Sequence, residues 1–140
     1  MAKFNKILVP LDGSSNSTRG LDRAIEIAKS SDAEITGFYV FQLPIAAGIK
    51  YTQKMKDEAQ RKAVKAIGPA MNRARKAGAT FQYKTGGGNT GHEIVKFAEK
   101  GKYDMVVIGA RGIGGAKQAF LGSTSNYVMH KTKIPVLIVK

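Results

Sequence analysis

The sequence predicts an α/β fold: a single-domain, open, five-stranded parallel sheet, doubly wound, with strand order 3-2-1-4-5. Three observations predict it. Apolar runs alternate with amphipathic stretches in a β-α-β-α-β-α-β-α-β rhythm, which calls for a parallel sheet covered by helices on both faces. The runs themselves, such as MVVIG (105–109), are continuously hydrophobic, as strands buried on both sides are. Right-handed crossovers between five strands favour the open order over a barrel, and that order places its switch point between strands one and four. The 140 residues suit one domain, 1–140, and suffice to bury a core without disulfides.

KILVPLD (6–12) is the first strand. Pro10 lacks a ladder donor and is tolerable where that strand stops pairing. Leu21, Ala24, Ile25 and Ala28 then recur at helical spacing. AEITGFYVF (33–41), rich in β-branched and aromatic residues, is the second strand. The connection 42–52 is long and oddly apolar, and reads as a lid, a partner contact or an extra helical turn. Met55, Ala59, Ala63, Ile67 and Ala70 or Met71 form one stripe of a long helix, with a kink or break expected at Gly68-Pro69. TFQYKT (80–85) alternates as a third strand. Thr90 and Glu93 make a capping-box pattern ahead of Ile94, Val95 and Ala98. After the fourth strand, 105–109, Ser123 is placed to cap a helix carrying Val128, and PVLIVK (135–140) is the fifth strand.

Composition narrows the function classes. The chain has no cysteine, which excludes disulfide scaffolds, thiolate metal sites and thiol nucleophiles. No run approaches the ~18 apolar residues of a spanning helix, and the apolar run near the N-terminus is too short for a signal segment. A soluble, cytoplasmic protein is expected. Lys and Arg number 23 against 10 acids, a formal +13, which favours anionic partners through the long-range field. The cations read as spread along the chain, a solvated basic surface in preference to a dedicated nucleic-acid patch.

In open parallel sheets ligands bind beyond the carboxyl ends of the strands at the switch point. The first strand ends there in Asp12-Gly13-Ser14-Ser15 and the fourth in Gly109-Ala110-Arg111-Gly112. The stretch GARGIGGAKQAFLGST (109–124) has five glycines, two cations, no acid, and a return through Gly122-Ser123 into a helix N-terminus. Amides and the helix dipole there attract anions. Glycines bring the backbone within reach of phosphate oxygens, and hydroxyls add donors. The expected ligand is a polyphosphate.

The spacing Gly109-x2-Gly112-x9-Gly122-Ser123 matches the G-2x-G-9x-G-[S/T] nucleotide motif of the universal stress protein family. The chain resembles that family over almost its whole length, from KILVPLDGS through FYVF and GHEIVKFAEKGKYDMVVIGARGIGG to FLGSTSNYVMHKTKIPVLIVK. The resemblance implies a Rossmann-like, adenine nucleotide alpha hydrolase-like fold and the ATP-binding branch of the family. It implies that Asp12 holds Mg2+, a hard cation that takes oxygen ligands from one carboxylate, phosphates and waters. It also implies that Pro10 and Leu11 line the nucleoside pocket and that Val40 meets adenine through its backbone. Gly109, Gly112, Gly122, Ser123 and Thr124 would hold ribose and phosphates, with Arg111 beside the phosphates.

Each residue has a plainer reading. Against the favoured phosphate and metal readings stand Gly109 and Gly112 as mere turn glycines and Asp12 as a cap of the first helix; Arg111 reads as well as a solvated loop residue, and Val40 is strand-end core without the resemblance. Gly86-Gly87-Gly88-Asn89-Thr90-Gly91 fits G-x-G-x-x-G, but it lies away from the switch point and has no acid at the next strand's end. It reads as a turn and helix cap. His92 and His130 read as surface residues. Phe38, Tyr39, Phe41 and Tyr83 read as core or helix-facing.

Three functions follow. The first is an ATP-binding stress-response or signalling module without fast turnover. The second is a slow ATPase or nucleotidyl-transfer enzyme, for which no HExxH, G-x-S-x-G, HIGH or SGGxDS signature and no second catalytic group is present. The third, nucleic-acid binding, requires a clustered basic face. The terminal strand would form an apolar sheet edge, which invites pairing with a second copy, and the family resemblance implies such a homodimer.

Overall fold

The computed structural model of the chain describes residues 4–42, 50–111 and 122–140. Its elements are β1 (Lys6–Pro10), α1 (Ser15–Ser31), β2 (Glu34–Phe41), α2 (Gln53–Lys76), β3 (Thr80–Gly87), α3 (Thr90–Lys100), β4 (Met105–Gly109), α4 (Ser123–Lys131) and β5 (Val136–Val139). The strands form one sheet in the order β3-β2-β1-β4-β5, as the sequence predicts. Every neighbouring pair is parallel.

Residue parity sorts the core onto two faces. Ile7, Val9 and Leu11 pack with Ile35, Phe81 and Val107 beneath Leu21, Ala24 and Ile25 of α1 and Ile67 and Ala70 of α2. The intervening Leu8, Phe38, Val106 and Ile108 face the other way, onto Ile94 and Ala98 of α3 and Val128 of α4. This is why the strands read as unbroken apolar runs. Each such side chain contributes about 1.5–3 kcal/mol of transfer free energy when fully buried.

Local departures from expectation have physical causes. Helix α2 runs unbroken through Gly68-Pro69. Pro69 is exposed, so the Lys65 carbonyl that loses its N–H donor lies on the watered flank. The buried stripe Ala63, Ala66, Ile67, Ala70 and Ala74 keeps the helix docked on both sides of the proline. The cap of α3 is Asn89, whose side chain accepts the His92 N–H at 3.1 Å, and Thr90 is already inside the helix. Ser123 likewise begins α4 without capping it; the N-cap is Gly122. The third strand continues to Gly87, with Gly86 and Gly87 paired to Val40 and Phe41. A Cβ on Gly86 would sit 2.9 Å from Phe38 Cζ, so the first of these glycines makes room for a core ring.

Candidate functional site

The sheet opens at its switch point because β1 leaves it early. Leu11 N–H donates to the Phe38 carbonyl at 2.9 Å and Asp104 N–H donates to the Lys6 carbonyl, so odd residues of β1 bond to β2 and even ones to β4. Pro10 therefore turns its missing donor toward β4. The β1–β4 register accordingly covers only Ile7–Leu8, whereas β1–β2 pairing reaches Pro10. Proline thus ends pairing on the side where the crevice begins. Beyond it, Asp12 Oδ1 accepts the Ser14 N–H at 2.9 Å and Gly13 adopts φ +85°, a turn that hands the chain to α1. Ser14, not Asp12, caps α1, its hydroxyl accepting from the Ser17 N–H at 3.2 Å.

On the other side of the crevice, the chain leaves β4 and comes back pinned to one carbonyl. The Ala110 oxygen accepts the Gly122 N–H at 2.7 Å and the Ser125 hydroxyl at 2.8 Å. Ser125 is buried, and its oxygen also lies 3.0 Å from the Gly122 carbonyl. Ala110 N–H is held in turn by Val139 of β5 at 2.8 Å. The two ends of the glycine-rich loop therefore meet just past the carboxyl end of β4, where α4 starts. Sequence reasoning missed Ser125; a serine three residues past a helix-entry glycine was its only signal.

Gly109 has a scaffold role that the motif does not reveal. A Cβ there would lie 2.6 Å from the Asn16 carbonyl oxygen, so the first turn of α1 rests directly on the end of β4. Gly20 continues the same contact, its would-be Cβ 3.3 Å from the Gly109 nitrogen.

The other predicted residues divide by what their side chains do. Leu11 and Val40 are committed to opposite faces of the core, and the Leu11 N–H is bonded to Phe38. Parity points the Val40 amide and carbonyl toward β1, beyond the last β1–β2 bond. Asp12, Arg111 and Thr124 are half-buried and Ser123 is exposed. Gly112 and most of the apolar connection, 43–49, lie outside the described residues. Tyr39 of β2 packs against the core: burial pushes its phenol above the usual tyrosine value, and the Asp12 charge adds to that. Tyr83, expected in the core or facing a helix, is exposed.

The Gly86–Gly91 stretch offers no phosphate cradle. The Glu93 carboxylate stands over it, with Oε1 3.4 Å from a would-be Cβ of Gly86 and Oε2 3.9 Å from one on Gly88. A Cβ on Gly91 would meet Tyr127 at 2.9 Å. These glycines admit a carboxylate and a ring. His92 and His130 are exposed. Among the described residues, no group of three or more His, Cys, Asp or Glu side chains is placed to hold a metal, and no helix is long and apolar enough to cross a membrane. A groove of about 650 Å³ is lined by Arg19, Asp22, Arg23, Glu26, Arg73 and Val139, from α1, the end of α2 and β5.

The universal stress protein family model matches residues 3–140. The chain belongs to the universal stress protein family. It is 32% identical to the Bacillus subtilis universal stress protein YxiE, over 98% of this chain and 99% of that one. A universal stress protein solved in complex with cAMP superimposes with a TM-score of 0.77 at 30% identity, covering 99% of each chain. The Archaeoglobus fulgidus universal stress protein solved in complex with dAMP gives 0.75 at 25% identity, over 99% of this chain and all of that one. In this universal stress protein, the Asp12–Ser14 turn follows β1, and Ala110 and Gly122 meet at the end of the neighbouring β4.

Proposed function

We propose that this chain, as one universal stress protein domain spanning 1–140, binds ATP with Mg2+ in the switch-point crevice and acts in the cytoplasm as a nucleotide-dependent stress-response module. The observation that carries the reading is the pinned return of the glycine-rich loop. It sets the first turn of α4, capped by a glycine without a side-chain acceptor, at the carboxyl end of β4 beside the Asp12–Ser14 turn. Amides in that turn are donors for phosphate oxygens, reinforced by the helix dipole. Ser123 and Thr124 add hydroxyls, Arg111 a charge, and Asp12 an oxygen ligand for a magnesium that the phosphates and water complete. In this reading the Val40 main chain meets the base. The cAMP and dAMP held by related universal stress proteins support an adenine nucleotide.

Calorimetric titration of the nucleotide-free protein with ATP and Mg2+ tests this. Saturable binding is expected, abolished in Gly122→Val and stripped of its magnesium dependence in Asp12→Asn. No binding at millimolar ATP overturns the reading. Turnover above about 1 s⁻¹ would instead make the protein an ATPase of ordinary speed.

The same proposal includes a homodimer through β5. That strand is a sheet edge with Leu137 exposed. A sedimentation profile of a dimer, shifted to monomer by Leu137→Lys, is the expected result.

A further inference from the structure

The net charge of the chain is concentrated in the folded molecule. Helix α2 carries eight Lys and Arg against Asp57 and Glu58, an excess of six out of +13. α1 has three cations against two acids, and α3 two against two. From Arg61 to Lys76 there are six cations and no acid, all of them exposed. Arg73 is spent on Asp22, which accepts from it at 2.6 and 2.9 Å. Arg61, Lys62, Lys65, Arg75 and Lys76 have no ion pair among the described residues. The clustered basic face that the primary sequence conceals is therefore present.

At 100° per residue, Arg61 and Lys65 lie within about 40° of each other on the crest opposite Ala63, Ala66, Ile67 and Ala70. Lys62 and Lys76 flank the crest on one side and Arg75 on the other. Because α2 passes unbroken through Pro69, these charges keep one helical frame over about 23 Å. α2 covers β2 and β3, the half of the sheet away from β5, so pairing through β5 leaves this face exposed.

We propose that the Arg61–Lys76 face of α2 binds the phosphate backbone of duplex DNA without sequence preference. Charge complementarity selects a polyanion, and the remaining features select which one. An α-helix about 10–12 Å across fits the roughly 12 Å major groove of B-DNA, with cations on both flanks meeting both strands. The deep, narrow major groove of duplex RNA refuses it. α2 contains no Phe, Tyr or Trp on which single-stranded bases would stack. Its apolar stripe is buried in the core, so it has no face to sink into a membrane. Val64, exposed among Gln60, Arg61 and Lys65, is a single small side chain. A protein partner would want a central apolar anchor that this crest lacks.

Fluorescence anisotropy of a labelled 20-base-pair duplex, with the full chain free of nucleotide, tests the proposal independently of the ATP site. Five phosphate contacts predict a slope of log K on log salt of about −4.5, roughly 500-fold weaker binding at 200 than at 50 mM salt. Arg61→Gln/Lys62→Gln/Lys65→Gln should flatten the slope to about −1.8, or roughly 12-fold. The equally neutralising Lys96→Gln/Lys100→Gln/Lys133→Gln should leave it unchanged. Equal flattening by both triples would mean unspecific net charge and overturn the proposal. So would failure to bind the duplex, or tighter binding of single-stranded RNA, phosphatidylserine vesicles or polyglutamate. Circular dichroism of each triple verifies the fold.

Discussion

Replacing Gly109 by alanine should destabilise the protein in the complete absence of nucleotide. The added Cβ would stand 2.6 Å from the Asn16 carbonyl oxygen, 2.7 Å from its carbon and 3.1 Å from the Asn16 Cβ. Ordinary contact begins near 3.4 Å, so the first turn of α1 must retreat by about 0.8 Å. A gap of that size forfeits about a quarter to a half of the dispersion energy of the atoms facing it. Two of the three obstructing atoms are backbone and cannot turn aside. Overpacking of this kind costs about 1–3 kcal/mol. For 140 residues the unfolding entropy is about 0.3 kcal/mol/K, so Tm should fall by roughly 3–10 °C. Gly20→Ala is the internal control. Its Cβ meets the Gly109 nitrogen at 3.3 Å, a milder conflict that the helix-propensity gain of about 1 kcal/mol offsets. Thermal and urea unfolding of both variants measure the difference. If Gly109→Ala melts with the wild type and loses only nucleotide binding, Gly109 is a ligand position and the packing argument is wrong.

Three further outcomes are expected. Ser125→Ala removes a buried hydroxyl from the Ala110 carbonyl and should cost about 1–2 kcal/mol in urea unfolding; it should also weaken nucleotide binding, and unchanged stability would deny the pin. Asn89→Ala should cost about 0.5–2 kcal/mol and Thr90→Ala much less, because the cap is Asn89; the reverse ranking would restore the capping box. Tyr39 and Tyr103 are both raised chiefly by burial, so their protonated forms are favoured by folding. Their contribution to stability is complete below the unfolded tyrosine value near 10 and drains away as pH climbs through the higher folded values. Ultraviolet titration should show two late-ionising phenols, and stability should decline above pH 10.

Much of the fold was legible because parallel strands advertise themselves. ILV (7–9) and MVVI (105–108) are apolar without alternation, and that property indicates burial on both faces. Strand order followed from handedness and not from any residue. The family was legible in the joint pattern of KILVPLDGS and the spaced glycines. What stayed hidden depends on contacts distant in sequence. Nothing local says that Gly109 is short of a side chain because Asn16 sits on it, or that Ser125 reaches back to Ala110. Pro69 misled for the opposite reason. A local rule predicts a kink or a break there, and the tertiary stripe from Ala63 to Ala74 keeps the helix from breaking. Thr90 matched the capping box as well as any residue could, yet Asn89 one place earlier made the bond. The charge was readable by counting and was obscured by averaging over the chain.

The two glycines at the ends of the motif, 109 and 122, do different work, and this bears on how ligand experiments are read. Gly109 lets α1 close onto the end of β4, and that closure sets the start of α1, with Ser14 and the Asp12 turn just before it, next to the returning loop. Gly122 stands in ordinary backbone geometry, φ −67° and ψ 161°, at the entrance of α4. Any L-residue tolerates that conformation. A side chain at 122 therefore acts through what it obstructs near the first turn of α4, while one at 109 acts by prising the two walls apart. Loss of binding together with stability on changing Gly109 would report distortion of the fold around it; loss on changing Gly122 with stability intact would support the proposed phosphate contact. The pair of substitutions, compared by melting and by calorimetry on the same preparations, separates scaffold from ligand within one motif.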